Sequence, residues 1–190
     1  MGTDKALLPF RGRPLVEHAL GILREAGLSA SIAGSRSPLE AFAAVLDDAE
    51  ADQGPLGGIC AAMGSTGAQW AVFLPVDLPL LPSSLISHLV RHAEISAAPI
   101  TLARAGAFTQ TFPAVLNRAA LPFLQKELAA DRLGCFQALE SAAASLGQQL
   151  SVIVVEDVVA AGLVTHPEGL AVGRWFTNLN TPVDLRDASK

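Results

Sequence analysis

Charge is scarce in this chain. Charged side chains make up 16% of its 190 residues and hydrophobic ones 51%, and 13 basic against 18 acidic residues leave a net charge of −5. No basic stripe is present, which argues against nucleic acid or an anionic membrane as the main partner. Cysteine is nearly absent. Cys60 and Cys135 stand alone, far from any Cys or His at metal-ligand spacing, so they read as reduced, packed thiols of a cytoplasmic protein. Long apolar runs are missing too. Asp77 and several prolines interrupt the stretch 70–82, and Glu156-Asp157 interrupts 150–164, so neither reaches the ~20 apolar residues of a spanning helix. The first residues, MGTDKALLPFRGR, contain no basic region followed by an apolar one and so no visible secretory signal.

What remains is ample apolar material for one core, and the length predicts a single domain over residues 1–190. Helical spacing of Leu15, Ala19, Leu23 and Ala26 predicts a helix over 14–26 that Gly27 stops. Strands are expected over 28–33 and 43–46, with a short helix at 38–42 between them. The turn GPLGG should lead into a small-residue helix over 59–63. Next comes WAVFLPVDLPLLP at 70–82, which reads as a strand buried on both faces and ending in Asp77. A helix over 82–94 follows. This alternation predicts an α/β domain with a mostly parallel sheet. Further on, strands are expected at 99–103 and 150–155, a polar loop at 106–113, a short apolar run at 114–116 and helices at 118–130 and 133–146. One more strand is expected at 169–175, and a final helix capped by Thr181 with Asp184 at its third position.

Several residues carry candidate chemistry. Asp77 would stand at the carboxyl edge of the sheet, where ligands of open parallel sheets bind and a carboxylate can hold a cation; it could equally cap a turn. Lys5 reads alone as solvated surface. Asp47 and Asp48 end a predicted strand on the same edge, suggesting a cation or ribose site or merely an acidic loop. GPLGG (Gly54 to Gly58) lets the backbone approach a ligand closely but lacks the Lys-Ser/Thr of a Walker loop. His88 and His92 lie four apart on a helix without a third ligand, and read as a surface pair. Asn178 and Asn180 approach a helix start, where Asn also serves as a cap.

Taken in order, MGTDKALLPFRGRPLVEHAL, GPLGGI, PVDLPLLP and NLNTPVDL resemble the molybdenum cofactor guanylyltransferase family (the MobA type) along essentially the whole chain. The resemblance implies a three-layer α/β/α, Rossmann-like fold of the nucleotide-diphospho-sugar transferase type, and transfer of GMP from GTP to molybdopterin with release of pyrophosphate. It implies that Lys5 contacts the nucleotide phosphates and that Asp77 holds Mg²⁺. Asp47 (or Asp48, with a one-residue shift) would bind the nucleotide, as would Gly54, Leu56 and Gly57 around the base. Asn178 and Asn180 would face the pterin. Small molecules are then the partners, with transient contact to other molybdenum cofactor biosynthesis proteins or molybdoenzymes. The family also carries an apolar strand and a glycine-rich loop, roughly LAGGxSxR, before its MG-x-DK segment. The expectation is therefore that Met1 is an internal methionine of a longer protein, and that the chain as given lacks the first strand. Ala33 stands where some members have asparagine. Alternatives to guanylyl transfer are cytidylyl transfer, a sugar-phosphate acceptor, or a non-catalytic binding remnant.

Overall fold

The computed structural model describes residues 4–34, 38–46, 53–180, 184, 185 and 188. Asp47, Asp48 and Thr181 lie outside the described residues. Two short strands, β1 (Pro9–Phe10) and β2 (Arg13–Pro14), form a hairpin that feeds α1 (Leu15–Glu25). Its buried face is Leu15, Val16, Ala19, Leu20 and Ile22. Gly27, at φ +80°, ends it while the Leu28 N–H returns to the Leu23 carbonyl and the Gly27 N–H to that of Arg24, the paired bonds of a glycine-terminated helix. β3 (Ile32–Ala33) and β4 (Val45–Leu46) then pair in parallel as a separate two-stranded sheet.

Helix α2 (Gly54–Ser65) begins five residues earlier than its small-residue stretch predicts. Gly54 at φ +61° and Pro55 in the first turn start it, a position that suits proline because the missing N–H has no helical partner there. GPLGG is thus the first turn of the helix rather than a loop before it. Gly57 sits against the chain entering that turn: a Cβ on it would lie 2.6 Å from the Gln53 Cβ.

The main sheet contains β5 (Trp70–Phe73), β6 (Ile100–Ala105), β7 (Phe108–Asn117) and β8 (Ser151–Val154) in the order β5-β7-β6-β8. Between them run α3 (Ser83–Ser96), α4 (Leu121–Ala129) and α5 (Cys135–Ser145); α6 (Val155–Ala160) follows β8 directly. β7 is antiparallel to both neighbours, and only β6–β8 is parallel. A mostly parallel sheet is therefore not what the described residues show. The difference comes from 106–113, expected as a loop, which instead extends β7 into a hairpin with β6. The segment 169–175, expected as a strand, instead contains the short helix α7 (Val172–Trp175), held as the buried Trp175 donates its indole N–H to the Leu170 carbonyl at 2.8 Å.

Alternation along the strands sends side chains to two cores. Ala71, Phe73, Ile100, Leu102, Ala114 and Leu116 pack with α2, α4 and α5, whereas Val72, Ala103, Val115 and Ile153 pack with α3, Val155 and Trp175. Helices thus cover both faces of the sheet. β5, expected to be fully buried, is only half-buried at all four residues, because its outer edge lines an open groove.

Candidate active site

Asp77 lies four residues beyond β5, in a turn with little freedom. Leu78, Leu80 and Leu81 follow it and are all buried, so the chain is anchored immediately after the carboxylate. From the other side, the Leu179 N–H donates to the Asp77 carbonyl at 2.9 Å, and Leu179 is itself buried with Phe10, Leu15 and Leu80. The turn is therefore fastened to the C-terminal segment by a backbone bond and by apolar packing on either side of it.

Lys5 arrives from the opposite end of the sequence. It opens a 3-10 turn over Lys5–Leu7 in which the Asp4 carboxylate accepts from the Ala6 N–H at 3.0 Å, and Ala6 is buried. With its backbone fixed in this way, Lys5 donates from Nζ to Asp77 Oδ2 at 2.7 Å and also to Asn180 Oδ1. An ammonium has three donors, so two are engaged here and one is left for an incoming acceptor. Asn180 is held in turn: its N–H donates to Asp184 Oδ2 at 3.0 Å.

Asp77 is unequally satisfied. Oδ2 takes the lysine, but Oδ1 is buried with no hydrogen-bond partner among the described residues. A buried carboxylate oxygen without a donor is costly. A hard divalent cation, which takes oxygen ligands and tolerates one protein carboxylate plus substrate phosphates, would satisfy it. The donor set thus fits Mg²⁺ at Asp77.

Of the residues singled out from sequence, the structure brings Lys5, Asp77 and Asn180 together. Asn178 is exposed two residues before Asn180. Gly54 is exposed at the start of α2, and Gly57 and Leu56 are buried behind it, Leu56 within the core shared by α2, α4 and α5. None of these three takes part in the Lys5 hydrogen bonds. His92 bonds the Ser151 hydroxyl at 2.9 Å, and burial, then the nearby His92 and Arg91, push the His88 pKa down. No group of three or more metal-binding side chains occurs among the described residues. Sequence reading passed over Asp184 as a site residue and took it only as a helix-start signal. Its four-residue spacing from Asn180 was the available clue. Leu179 was missed because an isolated leucine between two asparagines carries no periodicity.

Comparison with known proteins yields a consistent set of relatives. Residues 1–157 match the family described as "MobA-like NTP transferase domain". A molybdenum cofactor guanylyltransferase from Pseudomonas putida is 34% identical over 142 residues, covering 73% of this chain and 74% of that protein. One from Vibrio atlanticus is 30% identical over 187 residues, covering 97% of this chain and 86% of that protein. Among solved structures, the molybdopterin-guanine dinucleotide biosynthesis protein A from Archaeoglobus fulgidus superposes with a TM-score of 0.76 at 19% identity, covering 99% of this chain and 90% of the other. That last likeness concerns the fold.

Proposed function

The chain belongs to the MobA-like NTP transferase family, and on that premise we propose that it transfers GMP from GTP to molybdopterin, releasing pyrophosphate. The observation that carries the reading is the cluster at the end of β5. It joins one ammonium with a spare donor, one carboxylate with an orphaned buried oxygen, and one asparagine held in place by Asp184.

The acceptor of this reaction is a terminal phosphate, already ionised at neutral pH, so no general base is required of the protein. What is required is positioning, together with neutralisation of charge on the α-phosphate and the departing pyrophosphate. The Lys5 ammonium carries its free donor to a phosphate oxygen while Asp77 and Asn180 fix its direction. Asp77 would hold Mg²⁺ through Oδ1, and the ion, when bound, neutralises the phosphates alongside Lys5. The backbone of the first turn of α2, at Gly54, Leu56 and Gly57, supplies the base-facing segment while the Leu56 side chain stays in the core, and Asp47 contacts the nucleotide. Asn178 and Asn180 face the pterin. The accompanying fold reading is the three-layer nucleotide-diphospho-sugar transferase type in a single domain, supported by helices on both faces of a mixed sheet. GTP and molybdopterin are the small-molecule partners, and the enzyme works in the cytoplasm beside other proteins of cofactor assembly.

The test is to incubate the protein with Mg²⁺, molybdopterin and GTP labelled on the α-phosphate. Label should move into a pterin dinucleotide, with one pyrophosphate released per transfer. Label that stays in GTP, or in free GMP irrespective of molybdopterin, contradicts the assignment.

A further inference from the structure

The Asp77 turn is also held from a second side, by a strap over residues 163–170 between α6 and α7. The strap is tightly fastened. Val164 is buried in the core that α3 shares with the sheet. The Ser84 hydroxyl, in the first turn of α3, donates to the Thr165 carbonyl at 2.6 Å and accepts from the Thr165 N–H at 3.3 Å. The Gly169 N–H then returns to the His166 carbonyl at 3.0 Å, with Gly169 at φ +67°, a turn with Pro167 at its second position. Arg11, at the tip of the β1–β2 hairpin, reaches Glu168 Oε1 at 2.5 Å. Within this strap both ring nitrogens of His166 are engaged. Nδ1 accepts from the Glu168 N–H at 3.0 Å, and Nε2 meets the Leu80 carbonyl at 3.1 Å. A backbone N–H can only donate and a carbonyl can only accept, so the ring proton sits on Nε2 and is given to Leu80. The imidazole also lies beside the buried indole of Trp175, ring centroids 5.8 Å apart.

We propose that His166 is a positioning residue of the transfer site: by clamping the Leu80 carbonyl it holds the Asp77 carboxylate where Lys5 and the metal ion meet. Only Leu78 and Pro79 separate Asp77 from Leu80. Proline fixes one backbone angle of that link, and the Leu81 N–H closes it onto the Leu78 carbonyl at 3.3 Å. A shift of Leu80 is therefore passed to Asp77. On the other side the Leu179 N–H holds the Asp77 carbonyl itself, so the two bonds bracket the carboxylate. With the Leu179 bond alone the turn could pivot about it. The residue type follows from what the place demands. An aromatic ring would pack beside Trp175, and an asparagine could accept from the Glu168 N–H, but neither would reach Leu80 with a donor. The role matters because misplacing a reacting group by about 1 Å can cost about 10²-fold in rate. The inference rests on the reading of Asp77 as the carboxylate that holds the metal.

Three substitutions test it. His166→Phe keeps a ring beside Trp175 and loses both hydrogen bonds. His166→Asn keeps an acceptor for the Glu168 N–H and loses the donor to Leu80. His166→Gln carries an amide N–H to the place of Nε2. Each is read first without metal or nucleotide, by hydrogen exchange of the Leu179 amide, with the Val115 amide of the sheet interior as control. Each is then read by the dependence of pyrophosphate release on Mg²⁺ and molybdopterin. The Phe and Asn substitutions should speed Leu179 exchange about tenfold and leave Val115 unchanged. They should also lower kcat about 10–100-fold and raise the Mg²⁺ needed for half-maximal rate, with KM for molybdopterin held within about twofold. His166→Gln should recover most of both losses. Parental Leu179 exchange in the Phe and Asn proteins overturns the proposal, as does failure of His166→Gln to rescue. Faster exchange at Leu179 and Val115 together overturns it too, since that is general loosening. The exchange measurement needs no substrate, so a parent protein that releases no pyrophosphate would count against the GTP reading while the clamp is still decided by Leu179.

Discussion

Replacing Asp77 by asparagine separates charge from shape at the centre of the site. The substitution keeps the side-chain outline and leaves untouched the backbone carbonyl that accepts from Leu179. Two effects on stability oppose one another. The ion pair with Lys5 at 2.7 Å is lost, but the lysine side chain is 38% exposed, so solvent limits that loss to about 1 kcal/mol or less. Against this, Asp77→Asn removes the negative charge from a group whose Oδ1 is buried without a partner. A neutral polar atom stays in that place, but the lost charge relieves a desolvation penalty of similar size. The net change should be near zero, and the melting temperature should move by no more than about 4 °C. Catalysis has no such compensation. An amide holds Mg²⁺ poorly and offers the Lys5 ammonium a neutral acceptor in place of a charged one, so at least about 10²–10³-fold of rate should disappear. The assay is pyrophosphate release from GTP with molybdopterin and Mg²⁺, read beside a thermal melt of the same preparation. A folded Asp77→Asn protein retaining activity within about tenfold of the parent would refute the reasoning.

Other perturbations follow from the same contacts. Gly57→Ala places a Cβ 2.6 Å from the Gln53 Cβ, and should lower stability by about 1–3 kcal/mol in urea denaturation. Leu179→Ala empties a fully buried site beside Phe10 and Leu80. It should lose about 2–5 kcal/mol, and KM for GTP should rise because Asn180 and the Asp77 turn share that anchor; an unchanged KM would detach Leu179 from the site. Burial pushes the Cys60 thiol up to about 11, and burial followed by the neighbouring Cys60 does the same to Cys135. At pH 8 both should react with a thiol reagent about 100-fold more slowly than an unfolded cysteine. A raised acid pKa means the folded state keeps a proton that the unfolded state releases. Stability should therefore fall as pH rises from 9 towards 11, a trend that replacing both cysteines by alanine should weaken.

The helices were legible because their periodicity was strong and their ends carried recognisable signals. Leu15 to Ile22 along one face and Gly27 at the stop placed α1 to within a residue. The apolar spacing from Leu85 to Leu89 placed the start of α3 as closely, although that helix runs two residues further than expected, to Ser96. Strand pairing was far less legible. Nothing in WAVF says that its partner is antiparallel, since a short buried run looks alike in either ladder. The outer half of β7, FTQTF, is polar because it projects as a hairpin, so it resembled a loop. The short helix ending at Trp175 resembled a strand because Val172 and Trp175 favour strands locally. In the fold, the burial of Trp175, its indole bond to Leu170 and the Arg174 N–H bond to the Ala171 carbonyl hold a helical turn instead. In the site, Lys5 and Asp77 were individually ambiguous; 72 positions separate them, and only the fold joins them. The orphaned oxygen of Asp77 could not be read from sequence at all, because it depends on which neighbours fail to reach it.

The central claim is that this site selects GTP and couples it to molybdopterin through Lys5 and Asp77. The most direct measurement is pyrophosphate release with GTP, CTP and UTP offered separately, each with Mg²⁺ and with or without molybdopterin. Release from GTP alone, dependent on molybdopterin and abolished by Lys5→Met, is the predicted result. Equal or faster release from CTP, or release from GTP that ignores both molybdopterin and Lys5, would contradict it.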